Sequence, residues 1–156
     1  MARIQLTFNP GVITEIEIDN ENLHFYAEQS KTPIEIDPGD LIERALDKPI
    51  LSPKIKELIK PEDNILIIID DFTRPTPSEI ILPAILKQVH GAGVSPSKVK
   101  ILIAAGTHRS MIGDELTSKL GKEIVNKYQV LNHDYLAGPF VNLGHTESGI
   151  PVEVNE

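Results

Sequence analysis

Two polar clusters carry the chemistry this sequence could perform. Asp70-Asp71-Phe72-Thr73-Arg74-Pro75-Thr76-Pro77 gathers two carboxylates, two threonines, an arginine and two prolines, and Gly106-Thr107-His108-Arg109 follows later in the chain. His108 is the strongest catalytic candidate, because an imidazole titrates near neutrality and can exchange a proton with a bound hydroxyl. Arg74 and Arg109 present forked donors that suit a carboxylate or a phosphate. Asp71, Thr73 and Thr107 belong to the same two clusters as candidate binding groups. A plainer reading competes: Asx side chains often satisfy loop amides, Arg74 could pair with those aspartates, and His108 could be an idle loop histidine. The prolines favour function, since Pro75 and Pro77 remove backbone donors, fix φ and hold Thr76 in a defined direction. Free amides at a helix start after Ser78 add to the anion preference. The implied ligand is a small anion with a reactive hydroxyl.

Each cluster is preceded by an apolar run, Ile65-Leu66-Ile67-Ile68-Ile69 and Val99-Lys100-Ile101-Leu102-Ile103-Ala104-Ala105. The first, spanning residues 64 to 70, is nearly continuous and β-branched, which predicts a strand buried on both faces of a parallel sheet. Between the runs, Ser78 is predicted to cap a helix through about His90, with Ile81, Leu82, Ile85, Leu86 and Val89 facing inward and Gly91-Ala92-Gly93 ending it. Pro83 should loosen its first turn. Two parallel strands joined by one helix make a right-handed crossover, which brings both carboxyl ends to the same sheet edge. Ligands bind at that edge in open α/β sheets.

The remaining elements follow from the same periodicities. Apolar residues alternate through the first 35 positions between Asn9-Pro10-Gly11 and Asp19-Asn20-Glu21-Asn22, predicting a small antiparallel meander that includes Leu23 and Phe25. Asp40 is a plausible N-cap for a helix bearing Leu41, Ile42, Ala45 and Leu46, and a short helix is expected from Pro53 to Ile59. Further helices are expected at 113 to 120 and 122 to 126, a strand at 128 to 131, and a hairpin at 140 to 143 and 150 to 154 about Glu147-Ser148-Gly149. The fold class is therefore α/β, a three-layer Rossmann-like parallel sheet with helices on both faces plus an amino-terminal antiparallel β meander. One domain is expected over 1–156, with the meander at 1–36, the α/β core at 37–131 and a turn-rich tail at 132–156.

Bulk properties exclude several classes. The 156 residues are 40% hydrophobic, enough for one core. A net charge of -8 with scattered basic residues argues against a nucleic-acid partner. No run of apolar residues is long enough for a membrane span and the start lacks a signal-peptide core, so a cytoplasmic protein without membrane partners is expected. Zero cysteines exclude disulfides and thiolate chemistry. Neither a Walker loop nor Gly-x-Gly-x-x-Gly occurs. No histidine pair has i, i+4 ligand spacing, so no metal site is expected from these residues alone. His133 could face the same edge as His108 but reads as a satisfied strand-end side chain, and His90 as a favourable charge at a helix end. His24 and His145 have no evident link to the clusters.

Asp71-Phe72-Thr73-Arg74-Pro75-Thr76-Pro77-Ser78, followed by Ala105-Gly106-Thr107-His108-Arg109, Glu115-Leu116 and Gly121-Lys122-Glu123-Ile124-Val125, resembles the amino-terminal part of the nickel-dependent lactate racemase family. The resemblance covers essentially the entire chain. It implies a 2-hydroxy-acid racemase or epimerase, an isomerase using a nickel pincer nucleotide that takes hydride from the substrate's α-carbon and returns it to either face. In that scheme His108 matches one of two histidines that trade the hydroxyl proton, while Asp71 and Arg74 match loop residues at the substrate and cofactor. The family's second catalytic histidine, its nickel-ligating histidine and its cofactor-tethering lysine match no residue here. The chain is thus expected to be the first domain of a longer two-domain enzyme, inactive alone. Its expected partners are a small 2-hydroxy acid such as lactate and the carboxy-terminal domain of the same enzyme. Two alternatives stand beside this: a binding module holding a small carboxylate or phosphate at Asp71, Arg74 and Arg109 without chemistry, and an assembly domain whose loop docks a partner.

Overall fold

Alternating side chains fold the first segment into a ribbon, in which β1 (Ala2–Asn9) pairs antiparallel with β2 (Val12–Ile18) from Ala2 opposite Ile18 onward. A computed structural model describes residues 1–9, 12–27 and 36–155. The chain divides into two units, Met1–Glu35 and Ile36–Glu156. In the first, polar residues pair across the ribbon, Arg3 with Glu17 and Gln5 with Glu15, as the solvated acidic face requires. The predicted meander is reduced to two strands among the described residues. Asn20–Asn22 form a single 3-10 turn, residues 23–27 are not a strand, and Phe25 is exposed, because a two-stranded ribbon offers no core to recruit it. The rest of that segment, residues 28–35, lies outside the described residues.

The second unit begins with α1 (Pro38–Asp47), whose N-cap is Asp37 rather than Asp40: the Asp37 carboxylate accepts the Gly39 and Asp40 amides at 2.8 and 3.3 Å. Pro38 explains the shift, since its fixed φ and missing N–H suit the first helical position and leave the cap to the residue before it. A one-turn α2 (Ile55–Leu58) precedes β3 (Ile65–Ile69), α3 (Ser78–Gly91), β4 (Val99–Ile103), α4 (Asp114–Leu120), α5 (Lys122–Lys127) and β5 (Gln129–Asn132). The carboxy-terminal hairpin appears as expected, β6 (Phe140–His145) antiparallel to β7 (Pro151–Asn155). No helix among the described residues is long and apolar enough to cross a membrane.

β3, β4 and β5 form a parallel sheet in that order, with Ile65 opposite Val99 and Ile69 opposite Ile103. This α/β arrangement, a parallel sheet with crossover helices beside antiparallel pairs, is the class the sequence indicates. The core forms on one face, where Ile65, Ile67 and Ile69 join Val99 and Ile101 against Leu82, Leu86 and Val89 of α3, with Leu120 of α4 and Ile124 of α5. Burial of β3 on both faces is not observed: Leu66 and Ile68 point the other way and are 51% and 62% exposed. An isoleucine run satisfies a one-sided strand as well as a two-sided one, since only alternate residues meet the core. Ser78 is also not a cap. It is the first residue of α3 and buried, while Pro77 occupies the cap position and its carbonyl accepts the Ile80 and Ile81 amides.

Candidate active site

The in-register pairing of β3 with β4 makes both chains leave the sheet at one edge, and the Ala104 amide still bonds to the Ile69 carbonyl at 2.8 Å as they do so. Just beyond, Asp71 turns inward and is 4% exposed. Its Oδ1 accepts the Thr73 amide at 3.1 Å and the Thr73 hydroxyl at 2.6 Å, which closes the turn. Its Oδ2 lies 2.5 Å from Nδ1 of His108. That histidine is delivered by a turn in which its amide bonds to the Ala105 carbonyl at 2.9 Å and Gly106 takes a φ of 59°. A Cβ at Gly106 would meet open space, so the constraint there is backbone conformation rather than room. One Asp71 oxygen thus caps its own loop, as the plainer reading of the sequence has it, and the other orients the histidine of the next loop, a pairing the sequence reading does not name.

The Thr73 hydroxyl holds the Asp71 carboxyl below the ordinary carboxylate range; burial acts the opposite way, and His108 adds to the lowering. The carboxylate is covered by contact yet sits at the sheet's rim, so its bonds outweigh its desolvation. An ionised Asp71 takes the Nδ1–H of His108 and leaves Nε2 with a free lone pair, the arrangement of a general base. The His108 side chain is 48% exposed, open to a reactant on the side away from Asp71.

Asp70 faces a different partner. Its carboxylate accepts the Thr76 hydroxyl and forms a 2.8 Å ion pair with Lys119. The Oδ1 in that pair is buried without a well-aligned donor, so the contact is electrostatic more than directional. Burial pushes the Asp70 carboxyl up, but Lys119 and Thr76 outweigh it and the result lies below the ordinary value. Lys119 was not apparent as a site residue from sequence. It reads as a surface lysine four positions after Glu115, yet its ammonium is buried and donates to the Arg74 and Thr76 carbonyls.

The two arginines separate in role. The fork of Arg109 is filled by Glu115, at 2.8 Å from Nη1 and 2.5 Å from Nη2, and its guanidinium lies 4.7 Å from the centre of the Phe72 ring. The pair holds Glu115 below and Arg109 above their ordinary values, each chiefly through the bond to the other. Arg109 thus ties the second loop to the first instead of offering a free fork. Arg74 has no side-chain partner among the described residues and lines a cleft of about 500 Å³ between its loop and α4. Thr107 and His108 line a second cleft of about 290 Å³ with His133. There the satisfied strand-end reading of His133 is corrected: its amide continues the sheet to Ile103, but its Nδ1 is buried with no partner among the described residues. His90 is structural, its ring bridging the Val94 carbonyl and the Tyr128 hydroxyl. No group of three or more histidine, aspartate or glutamate side chains is placed to hold a metal ion among the described residues.

Comparison with known proteins bears on this edge. The model of the lactate racemase N-terminal domain family matches residues 12–156. The lactate racemase of Lactiplantibacillus plantarum is 35% identical over 136 residues, covering 85% of this chain and 31% of that protein. The lactate racemase of Thermoanaerobacterium thermosaccharolyticum is 36% identical over 159 residues, covering 100% of this chain and 37% of that protein. This chain therefore spans about a third of the length of these relatives. The structure of the lactate racemase apoprotein from T. thermosaccharolyticum superposes with a TM-score of 0.76 at 29% identity, over 99% of this chain and 36% of that one. A protein of Thermotoga maritima shares the fold with a TM-score of 0.58 at 22% identity, over 75% of this chain and 30% of that one. The motif order, the sheet that presents it and these matches agree: the chain belongs to the lactate racemase N-terminal domain family.

Proposed function

We propose that this chain supplies the proton-transfer and carboxylate-orienting part of a 2-hydroxy-acid racemase or epimerase, with lactate as the substrate indicated by its relatives' names. The observation that carries the reading is the 2.5 Å pair between Asp71 and His108, at the same sheet edge as an arginine, Arg74, that has no side-chain partner among the described residues. Asp71 fixes the tautomer of His108, whose Nε2 removes the substrate's hydroxyl proton as the α-carbon is oxidised and returns it when the carbon is reduced. Thr73 keeps Asp71 ionised and aimed. Arg74 receives the substrate carboxylate in its open fork, and Thr107 lies beside His108 where the hydroxyl would enter. Arg109 braces the two loops.

The nickel pincer nucleotide that the resemblance implies would supply the hydride acceptor. The residues described here do not make a site for its metal, since no suitable group of donors exists among them, and the steps above are limited to the proton and the carboxylate. The rest of the active site is assigned to the carboxy-terminal domain of a full-length enzyme.

The test is His108→Ala in the full-length enzyme. Turnover of lactate should fall by about 10²- to 10⁴-fold, the usual contribution of a positioned acid or base. In parallel, Arg74→Ala should raise the lactate concentration needed for half-maximal rate. Wild-type turnover in His108→Ala would remove the histidine from the chemistry and leave an anion-binding module.

A further inference from the structure

We infer that Lys119 is a positioning residue: its buried ammonium fixes the Asp70–Pro77 loop so that the Arg74 fork faces the substrate while no described residue occupies it. This rests on the racemase reading above. The Lys119 side chain is 9% exposed, and a cation so placed persists only where acceptors replace its water. All three acceptors belong to one loop: the Arg74 carbonyl at 2.9 Å, the Thr76 carbonyl at 3.1 Å and the Asp70 carboxylate at 2.8 Å.

The two carbonyls have a common feature. Each belongs to the residue before a proline, Arg74 before Pro75 and Thr76 before Pro77. The prolines cannot donate, so this stretch has fewer amides with which to tie itself down, and the ammonium anchors it from outside. At Arg74 the division is sharp: the backbone carbonyl is held by Lys119 while the guanidinium has no partner among the described residues. A lysine suits this task because its three donors diverge from one atom, whereas a planar guanidinium would have to move the loop to reach all three acceptors. One turn earlier on α4, Glu115 grips Arg109 of the second loop, so a single helix face restrains both loops.

Two measurements test this. In the chain itself, Lys119→Met should speed hydrogen exchange at the Thr73 and Arg74 amides, both bonded to Asp71, by about tenfold or more, with the β4 amides unchanged. The chain has no cysteine, so Lys119→Cys introduces a single thiol. Aminoethylation of that thiol rebuilds an ammonium of nearly the same reach and should restore slow exchange, whereas carbamidomethylation should not. Lys119→Gln, which keeps a donor at the same depth, serves if the Met variant does not fold. In the full-length enzyme, Lys119→Met should raise the KM for lactate by about tenfold with a smaller change in kcat, and should add nothing to the KM of Arg74→Ala. A purely structural lysine would lower kcat through the active fraction and leave KM alone. Unchanged exchange in Lys119→Met overturns the clamp whatever the enzyme does. A loosened loop with unchanged KM overturns the positioning role. An unchanged KM in Arg74→Ala counts against the racemase reading itself, and the positioning role falls with it.

Discussion

Asp71→Asn removes one charge while keeping the shape of the side chain, and its effect can be worked from the bonds around it. Oδ1 accepts two bonds from Thr73 and Oδ2 faces His108. An asparagine carbonyl keeps both Thr73 bonds but as neutral ones, and a bond to a charged acceptor contributes about 1 kcal/mol more than a neutral bond. The amide nitrogen now opposes the Nδ1–H of His108, which must change tautomer to avoid two donors meeting. Against these losses, the native state no longer desolvates a carboxylate, so the net destabilisation at neutral pH is about 1 to 2 kcal/mol. The sign of the pH dependence follows from the lowered Asp71 value. A carboxyl whose folded pKa is depressed binds fewer protons in the native state. It therefore contributes stability that is complete above the unfolded value of about 3.9 and is lost as pH falls through the folded value. The deficit of Asp71→Asn relative to wild type should shrink over that same acid window. The assay is urea unfolding followed by far-UV circular dichroism, since the chain has no tryptophan, at neutral pH and at steps below pH 5, with equal m-values as the control. Asparagine as stable as aspartate at pH 7, or a deficit identical at every pH, would refute the claim that an ionised Asp71 stabilises this edge.

Two further substitutions probe the scaffold. Asn132→Ala deletes a side chain that accepts the Met111 amide at 2.9 Å and donates to its carbonyl at 3.0 Å, next to a fully buried Met111. Two stranded backbone groups should destabilise by about 2 to 4 kcal/mol, read from the thermal midpoint, and a loss under 0.5 kcal/mol would show that water replaces the amide. Ile101→Ala empties a site in the core and should cost about 2 to 5 kcal/mol, whereas Ile68→Ala on the outer face should stay near 0.5 kcal/mol. Equal losses in urea unfolding would mean that the outer face is covered in solution.

What could be read from the sequence depended on whether a partner leaves a trace in residue types. That the Asp71 and His108 clusters would share one edge was legible because it follows from topology: two apolar runs, one intervening helix and a right-handed crossover admit only one common edge. The partners of Lys119 were not, because two are backbone carbonyls 45 and 43 positions away, and a carbonyl looks the same under every side chain. Arg109 was misleading for a related reason. A fork that suits a ligand's carboxylate suits that of Glu115 equally, and residue type cannot choose between them. Exposure of Leu66 and Ile68 was hidden in a run of residues that strands favour whether or not both faces are packed.

The restraints at this edge are graded in a way that bears on catalysis. Asp71 is fixed by Thr73, the 70–77 loop by Lys119, and the 106–109 loop by Glu115 through Arg109, so each group behind the reacting atoms is held by a residue with no reaction of its own. Among the described residues, the guanidinium of Arg74, the hydroxyl of Thr107 and Nδ1 of His133 have no partner at the edge, and the outward side of His108 is open. A substrate bound there would need to order few protein groups, because the backbone beneath them is already held. Binding energy would then go into aligning the hydroxyl with Nε2 instead of organising the loops, which is how a positioned base gains its advantage over one free in solution. The short helix α4 accounts for that economy: it lies outside the strand ends proposed to carry the chemistry, yet its Glu115 and Lys119 reach both loops.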